Sequence, residues 1–165
     1  MRILGIDPGL HITGYGLLDI DDHNPKVIEA GVIRTTKQAA LAEQLKEIAS
    51  ELDGIINQFK PDAIAVEELY SHYNHPRTAI IMGHARGIIF LKAAEAQINI
   101  FPYASTRIKK SLTGNGRAKK NQVQRMIKVL LGLRALPEPP DTADALAIAL
   151  CHCRAMNYRE GKESD

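Results

Sequence analysis

Arg2-Ile3-Leu4-Gly5-Ile6-Asp7-Pro8-Gly9 is the stretch that decides the fold class of this chain. An apolar run that stops at an acid and a Pro-Gly turn predicts a strand buried on both faces, with Asp7 at its C-terminal end. A second such run, Ala63-Ile64-Ala65-Val66, ends at Glu67. The neighbouring Glu68 points to the other side of that strand, so we expect it at the surface. Because ligands bind at the carboxyl ends of strands in open αβ sheets, Asp7 and Glu67 are candidate site residues.

Two further acids begin the predicted C-terminal helix in Asp141-Thr142-Ala143-Asp144. One explanation is capping, with Asp141 at the N-cap and Asp144 in the first turn, where both complement the positive helix end. A second, compatible explanation is ligation, because residues three apart share a helix face. Carboxylates gathered in one place repel each other unless a cation lies among them, and all-oxygen ligation suits magnesium or manganese. The four acids therefore predict metal-dependent hydrolysis.

Hydrophobic periodicity divides the chain into strands and helices. It predicts strands at residues 2–6, 13–18, 27–33, 63–67 and 98–101, the last closed by Pro102, and helices at residues 40–59, 77–96 and 141–157, with two more around the Gly114-Asn115-Gly116 loop. Short connections make the first three strands an antiparallel meander. The order indicates an α+β protein with a mixed five-stranded sheet flanked by helices. The first strand must lie beside the fourth to bring Asp7 near Glu67.

The composition indicates one soluble domain. The chain has 165 residues, 45% of them hydrophobic, which suits a single core in residues 1–158 with a polar tail at residues 159–165. No apolar run approaches the roughly 20 residues of a membrane helix, and the first run ends at Asp7, too early for a signal peptide. We therefore expect a cytoplasmic protein without membrane association. Within a helix, Cys151-His152-Cys153 cannot form a disulfide, so packing in a reducing compartment is favoured over a metal site there.

Basic residues are concentrated in one part of the chain. The formal net charge is only +2, yet residues 96–137 carry nine basic residues and no acid, while the rest of the chain carries 12 basic and 19 acidic residues. A solvated helix face would explain the charge alone. The same segment also contains Thr113-Gly114-Asn115-Gly116-Arg117, a glycine loop whose backbone can approach phosphates closely. We therefore favour nucleic acid as the partner of this segment.

Four motifs, in this order along nearly the whole chain, resemble the RuvC family of Holliday junction resolvases: Gly5-Ile6-Asp7-Pro8-Gly9 followed by Thr13-Gly14-Tyr15-Gly16, Val66-Glu67, Gly83-His84-Ala85-Arg86-Gly87, and Asp141-Thr142-Ala143-Asp144-Ala145-Leu146-Ala147-Ile148-Ala149. The resemblance implies a ribonuclease H-like fold and a homodimeric endonuclease that nicks two opposed strands of four-way junction DNA in recombination and repair. It also implies the RuvA and RuvB branch-migration complex as a partner. By similarity, two magnesium ions per site, or manganese in their place, are ligated by Asp7, Glu67, Asp141 and Asp144.

The resemblance also assigns roles to residues around the acids. Tyr70 occupies the place of an aromatic residue that stacks on bases at the crossover. Basic contacts to DNA are expected by similarity at Lys109 and Lys120, and by position alone at Arg117 and Lys119. A solvated loop, without a site role, is the expectation for His72 and His75.

Three other classes share part of this pattern. The hairpin with Asp7-Pro8-Gly9 and Gly14-Tyr15-Gly16 also resembles the phosphate-binding hairpin of actin-like ATPases and sugar kinases, but those proteins need two such domains and this chain has one copy. YqgF-type nucleases share the early Asp-Pro-Gly, but they are usually shorter, and the basic helix pair favours the resolvase. In a non-catalytic nucleic-acid binding protein, the four acids would only repel the ligand.

A stripe of small residues on the second predicted helix indicates a helix contact. Gly83 and Gly87 lie one turn apart, with Ala79 one turn earlier, so another helix could approach closely. Packing on the molecule's own sheet is the simpler explanation of the stripe. Two opposed cuts in a symmetric junction favour an isologous dimer instead, so we expect a homodimer interface that includes one face of residues 80–91.

Overall fold

The computed structural model describes residues 1–21, 24–69 and 76–163, with side chains described except at residues 76 and 157–163. In this part of the chain the elements are β1 (Arg2–Asp7), β2 (Ile12–Asp21), β3 (Asn24–Arg34), α1 (Leu41–Phe59), β4 (Ala63–Glu67), α2 (Pro76–Glu95), β5 (Asn99–Tyr103), α3 (Ser105–Thr113), α4 (Lys120–Leu130) and α5 (Pro140–Glu163). None of these helices is long and apolar enough to cross a membrane.

The strands form a mixed sheet in the order β3-β2-β1-β4-β5. The first three strands pair antiparallel, whereas β4 joins β1 and β5 joins β4 in parallel. Each parallel connection passes through a helix, because parallel neighbours need a crossover of a dozen or more residues. The predicted α+β class, the mixed five-stranded sheet and the adjacency of β1 and β4 are confirmed.

Alternation of side chains along the strands divides the core into two layers. Leu4 and Ile6 of β1 pack with residues of α1 and α2, whereas Ile3 packs with residues of α3, α4 and α5. The strand β4 alternates in the same way. By this alternation, the positions of Asp7 and Glu67 both belong to the layer of α5.

Helix α5 lies directly on the backbone of β1 because Gly5 leaves room for it. A Cβ atom on Gly5 would overlap the carbonyl oxygen of Ala145 and the backbone of Ala149. Small residues on the helix and on the strand therefore set the distance between them. Further along α5, Cys151 and Cys153 are buried free thiols, which confirms their predicted packing role.

Several element boundaries differ from the predictions: β2 and β3 extend beyond the predicted 13–18 and 27–33 because their antiparallel pairing continues to Asp21 and Asn24, and β5 and α5 also end later than predicted. The strand β5 continues through Pro102 to Tyr103, because β5 is an edge strand, where a missing N–H is tolerated. The helix α5 runs to Glu163, beyond its predicted end at residue 157. Residues 158–163 contain no proline, and Arg159, Glu160, Lys162 and Glu163 have good helix propensity, which outweighs the single unfavourable Gly161.

We predict that Gly5→Ala lowers the free energy of unfolding by about 2 kcal/mol, because overpacking a tight contact costs roughly 1 to 3 kcal/mol. Gly54→Ala in α1 is the matched control, since no atom lies within 4 Å of a Cβ there. It should leave stability unchanged or raise it by ~0.5 to 1 kcal/mol. Urea denaturation measures both changes, and equal stability of the two variants would contradict the close contact.

Candidate active site

Asp7 and Glu67 end adjacent parallel strands. Ile6 of β1 is in register with Val66 of β4, so the next residue of each strand lies at the same edge of the sheet. Glu67 is half-buried there, whereas Glu68 is exposed. The structure therefore brings together the two strand-end acids that the sequence predicts.

The first turns of α5 bring Asp141 and Asp144 to the same place. Gly14 of β2 is paired with Asp7, and a Cβ on Gly14 would overlap the carbonyl oxygen of Asp141. The helix therefore starts directly beside the end of β1. It begins at Pro140, so the predicted N-cap position of Asp141 is wrong: a proline suits the first helical position, and Asp141 is the second residue. Both carboxylates still lie in the first turns, where negative side chains complement the positive end of the helix dipole.

The four acids interact electrostatically. Burial raises the pKa of Asp7 to about 7, and the negative charges of Glu67, Asp144 and Asp141 add to the rise, while Lys120 opposes it. Burial also raises the pKa of Glu67, with a further contribution from Asp144. Because desolvation and like charges both disfavour the carboxylate form, the cluster favours any group that brings positive charge.

Lys120 supplies a positive charge to this cluster. Its Nζ lies 2.5 Å from Oδ2 of Asp144. Burial lowers the pKa of Lys120, but the hydrogen bond to Asp144 and the charges of Asp144, Asp141 and Asp7 outweigh burial and leave the pKa raised. The sequence predicts a DNA contact for this lysine, whereas its partner in the structure is an acid of the cluster.

A cleft of about 210 Å³ opens between β4, α3, α4 and α5, with polar lining from Glu67, Ser105, Lys109, Lys120 and Asp144. Sequence reasoning missed Ser105, whose hydroxyl is a hydrogen-bond partner of Glu67 and lowers its pKa against the larger effect of burial. The pairing of Glu67 with Tyr103 brings the start of α3 beside the acid. No motif in the sequence marks this serine, because its position depends on strand register.

The remaining predicted DNA contacts lie around the cleft. Lys109 of α3 is half-buried and lines it, whereas Arg117 and Lys119 are exposed just before α4. Gly114 has a φ of 76° and caps α3, its N–H donating to the carbonyl of Lys110. A helix end therefore accounts for this glycine without a ligand. Outside the described residues lie Tyr70, His72 and His75.

The donor set of the acid cluster suits a hard divalent cation. Its candidate ligands are carboxylate oxygens. One of them, Oδ2 of Asp144, already pairs with the ammonium of Lys120. Among the residues that the structure describes, no group of three or more His, Cys, Asp and Glu side chains has a metal-holding arrangement. The metal role of the four acids therefore stays a prediction.

The sheet order β3-β2-β1-β4-β5, with acids at the ends of β1 and β4 and at the start of the helix packed on them, defines a ribonuclease H-like protein. The family model of the crossover junction endodeoxyribonuclease RuvC matches residues 3–152. The chain belongs to this family. Membership decides against the actin-like ATPases, the sugar kinases and the YqgF-type nucleases.

Similar proteins cover the chain almost from end to end. The crossover junction endodeoxyribonuclease RuvC of Alkaliphilus oremlandii is 46% identical over 160 residues, 97% of this chain and 97% of that protein. The protein of the same name from Rhodopirellula baltica is 49% identical over 156 residues, 94% of this chain and 88% of that protein. The solved structure of T. thermophilus RuvC in complex with a Holliday junction substrate has a TM-score of 0.86 and 33% identity, covering 98% of this chain and 96% of that chain.

We predict that the stability of the protein in a metal chelator falls as pH rises towards 7. The folded protein keeps the proton of Asp7 up to about pH 7, whereas the unfolded chain releases it near the ordinary value of 3.8. Between these values the folded state binds more protons, so the free energy of unfolding decreases with pH.

The variant Asp7→Asn lacks this titration. Its stability relative to the natural protein should therefore grow from about pH 4 to pH 8, by on the order of 4 kcal/mol. Urea unfolding at a series of pH values measures the difference. A difference that stays constant across this range would contradict the buried acid cluster.

Proposed function

We propose that this chain resolves Holliday junctions, as an endonuclease that nicks two opposed strands of four-way junction DNA by metal-dependent hydrolysis during recombination and repair. The observation that carries the proposal is the convergence of acids from β1, β4 and α5 beside a cleft with basic residues, in a member of the RuvC family. We further propose that residues 1–158 form a single nuclease domain, that the protein acts in the cytoplasm, and that the RuvA and RuvB branch-migration complex is its partner.

The four acids are the proposed metal ligands. Burial and the charges of the other three acids all disfavour the ionised form of Asp7. A cation bound beside Asp7 would therefore be strongly stabilised by the carboxylate that it helps to ionise. Asp141 and Asp144 approach from the first turns of α5, where their negative charges complement the helix dipole. Ser105 orients Glu67 through its hydroxyl. When bound, two magnesium ions, or manganese in their place, supply water activation and charge stabilisation for phosphodiester hydrolysis.

Basic residues beside the cleft are the proposed contacts to the DNA backbone. Lys109 and Lys120 line the cleft, and Arg117 and Lys119 are exposed in the segment that leads into α4. Such side chains neutralise phosphates and release counterions, so they contribute affinity with little sequence preference. Tyr70, shortly after the end of β4, is proposed to stack on a base at the crossover, a contact worth roughly 1 to 3 kcal/mol.

Asp7→Asn should separate catalysis from binding. The variant loses a charged ligand with little change of shape, so magnesium-dependent nicking of a synthetic four-way junction should fall at least ~100-fold. Junction affinity should be kept or should rise, because one negative charge that faces phosphate is removed. Nicking gels and mobility-shift titrations measure the two properties.

Glu68→Gln is the matched control for this experiment, because Glu68 is exposed and directly follows the predicted ligand Glu67, one residue past the end of β4. It should nick at nearly the natural rate. Near-normal nicking by the Asp7 variant, or loss of nicking by the Glu68 variant, would place the site elsewhere. Parallel incubations with duplex DNA, structured RNA and ATP test whether the junction is the preferred substrate.

Lys109→Ala should weaken junction binding to a similar extent across DNA sequences and reduce the slope of log affinity against log salt by about one. The reason is the loss of one phosphate contact with its counterion release. Lys46→Ala is the control, since Lys46 is 78% exposed on α1, in the opposite layer of the fold. Binding titrations over a range of salt concentrations measure the slope, and an unchanged slope for Lys109→Ala would return that lysine to a solvated face.

We also propose a homodimer built on α2. Ile80 and Leu91 are 63% and 52% exposed, although both are large apolar side chains. No atom lies within 4 Å of a Cβ on Gly87, whereas Gly83 approaches Leu69 of the same chain. Packing within the described part of the chain therefore requires glycine at neither position, since 4.0 Å is an ordinary van der Waals distance. An isologous pair of α2 helices would cover this face and provide two identical clefts for two opposed cuts.

Gly87→Leu should give folded monomers, because the added side chain fills the stripe along which the second helix approaches. Paired incision should be lost, while some single nicking of flexible substrates is kept. Gly54→Leu is the control, since it places the same bulk on another open helical glycine, in α1. Light scattering at micromolar concentration measures the assembly state, and a natural protein that is monomeric both alone and on junction DNA would rule out the dimer.

A further inference from the structure

We propose that Lys120 is the resident counter-ion of the acid cluster: it holds Asp144 until a divalent cation takes its place, and the released ammonium then becomes available to DNA phosphate. This competition rests on the metal site proposed above. It adds a second role for Lys120 besides the contact to DNA, and it couples the loading of the metal to the basic side of the cleft.

The contact between the two residues joins α4 to α5. Lys120 is the first residue of α4 and Asp144 lies 24 residues later, in the early part of α5. The side chain of Lys120 is 57% exposed and that of Asp144 is 25% exposed. The lysine therefore reaches from solvent to the lining of the cleft, where its ammonium meets Oδ2 of Asp144.

The ammonium acts on the cluster as a cation would. Its interactions with Asp144, Asp141 and Asp7 all raise the pKa of Lys120, and the same charge lowers the pKa of Asp7. Lys109 lines the same cleft, but the carboxylate on which its charge acts is Glu67. Of the two lysines, Lys120 is therefore the one placed among the proposed ligands from β1 and α5.

The start of α4 is unfavourable for a lysine on local grounds. Lys119 occupies the N-cap and Lys120 the first helical position, and the first turn contains no acid. Positive charges at this end oppose the helix dipole. The acids of α5 offset that repulsion from across the cleft. An incidental surface ion pair would contribute little and would not influence a metal ion.

Asp144 cannot keep its ion pair with Lys120 and at the same time bind a metal ion through the same oxygen. The ammonium has only donors and cannot join the ligand sphere of a cation. Its charge also repels a divalent ion held by the same carboxylates. Pairing and metal binding therefore oppose each other, and the coupling is reciprocal: binding of the metal loosens the lysine as much as the lysine weakens the metal. The loosened lysine lies beside Lys119 and Arg117, the residues proposed to meet phosphate.

The test is Mn²⁺ binding to the full-length protein without DNA, followed by electron paramagnetic resonance of the free ion at low ionic strength. Lys120→Met keeps the length of the side chain and removes the charge, so it should bind Mn²⁺ about fivefold more tightly than the natural protein. Lys128→Met makes the same change of net charge two turns further along α4 and should leave the affinity near the natural value. Equal affinities of these two variants would overturn the competition.

A third variant separates this inference from the metal site on which it rests. Asp7→Asn should weaken Mn²⁺ binding by tenfold or more. If Asp7→Asn binds the ion as tightly as the natural protein, the proposed metal site is wrong and the competition falls with it. If Asp7→Asn loses the ion while Lys120→Met gains no affinity, the metal site stands and the competition alone is overturned.

Amine acetylation of the natural protein provides a second measurement that needs no substitution. Mass spectrometry should show that Mg²⁺ raises the rate of acetylation at Lys120 several-fold, because the amine is released from its pairing with Asp144. Lys128 should react at the same rate with and without the ion. Unchanged acetylation of Lys120 at saturating Mg²⁺ would overturn the proposal.

Discussion

The close contact of α5 with the backbone of β1 and β2 is the constraint on which the candidate site depends. Side chains larger than hydrogen at Gly5 or Gly14 would overlap the backbone of the helix. Because the helix lies this near, its first turn reaches the end of β1, and acids from distant parts of the chain can share one place. The alternation of side chains along β1 and β4 is the second condition for the site, because it directs Asp7 and Glu67 to the side of the sheet on which α5 packs.

The acid cluster destabilises the folded state unless a positive charge lies among the carboxylates. Asp7 is desolvated and surrounded by like charges, and its pKa of about 7 expresses that cost. Lys120 offsets part of it, and the proposed metal ions would offset the rest. The same electrostatics thus lowers the stability of the fold and creates affinity for a cation, which is the usual relation between strain and function at a site.

Features that depend on local pattern could be predicted from the sequence. Apolar runs that end at Asp7 and Glu67 predicted the ends of β1 and β4. The requirement that the two acids lie close together predicted that these strands are neighbours. Features that depend on assembly could not be predicted in this way. Pro102 is tolerated only because β5 is an edge strand. The pairing of Lys120 with Asp144 depends on how α4 packs beside α5, which no spacing in the sequence encodes.

Acids from β1, β4 and α5 are proposed to form one metal site. Anomalous diffraction from crystals soaked in Mn²⁺ is the decisive experiment, because the ion is located by its own signal. We expect anomalous peaks at about 2.1 Å from carboxylate oxygens of Asp7, shared with Glu67 and with Asp141 or Asp144. Mn²⁺ peaks elsewhere on the protein, with none at Asp7, would contradict it.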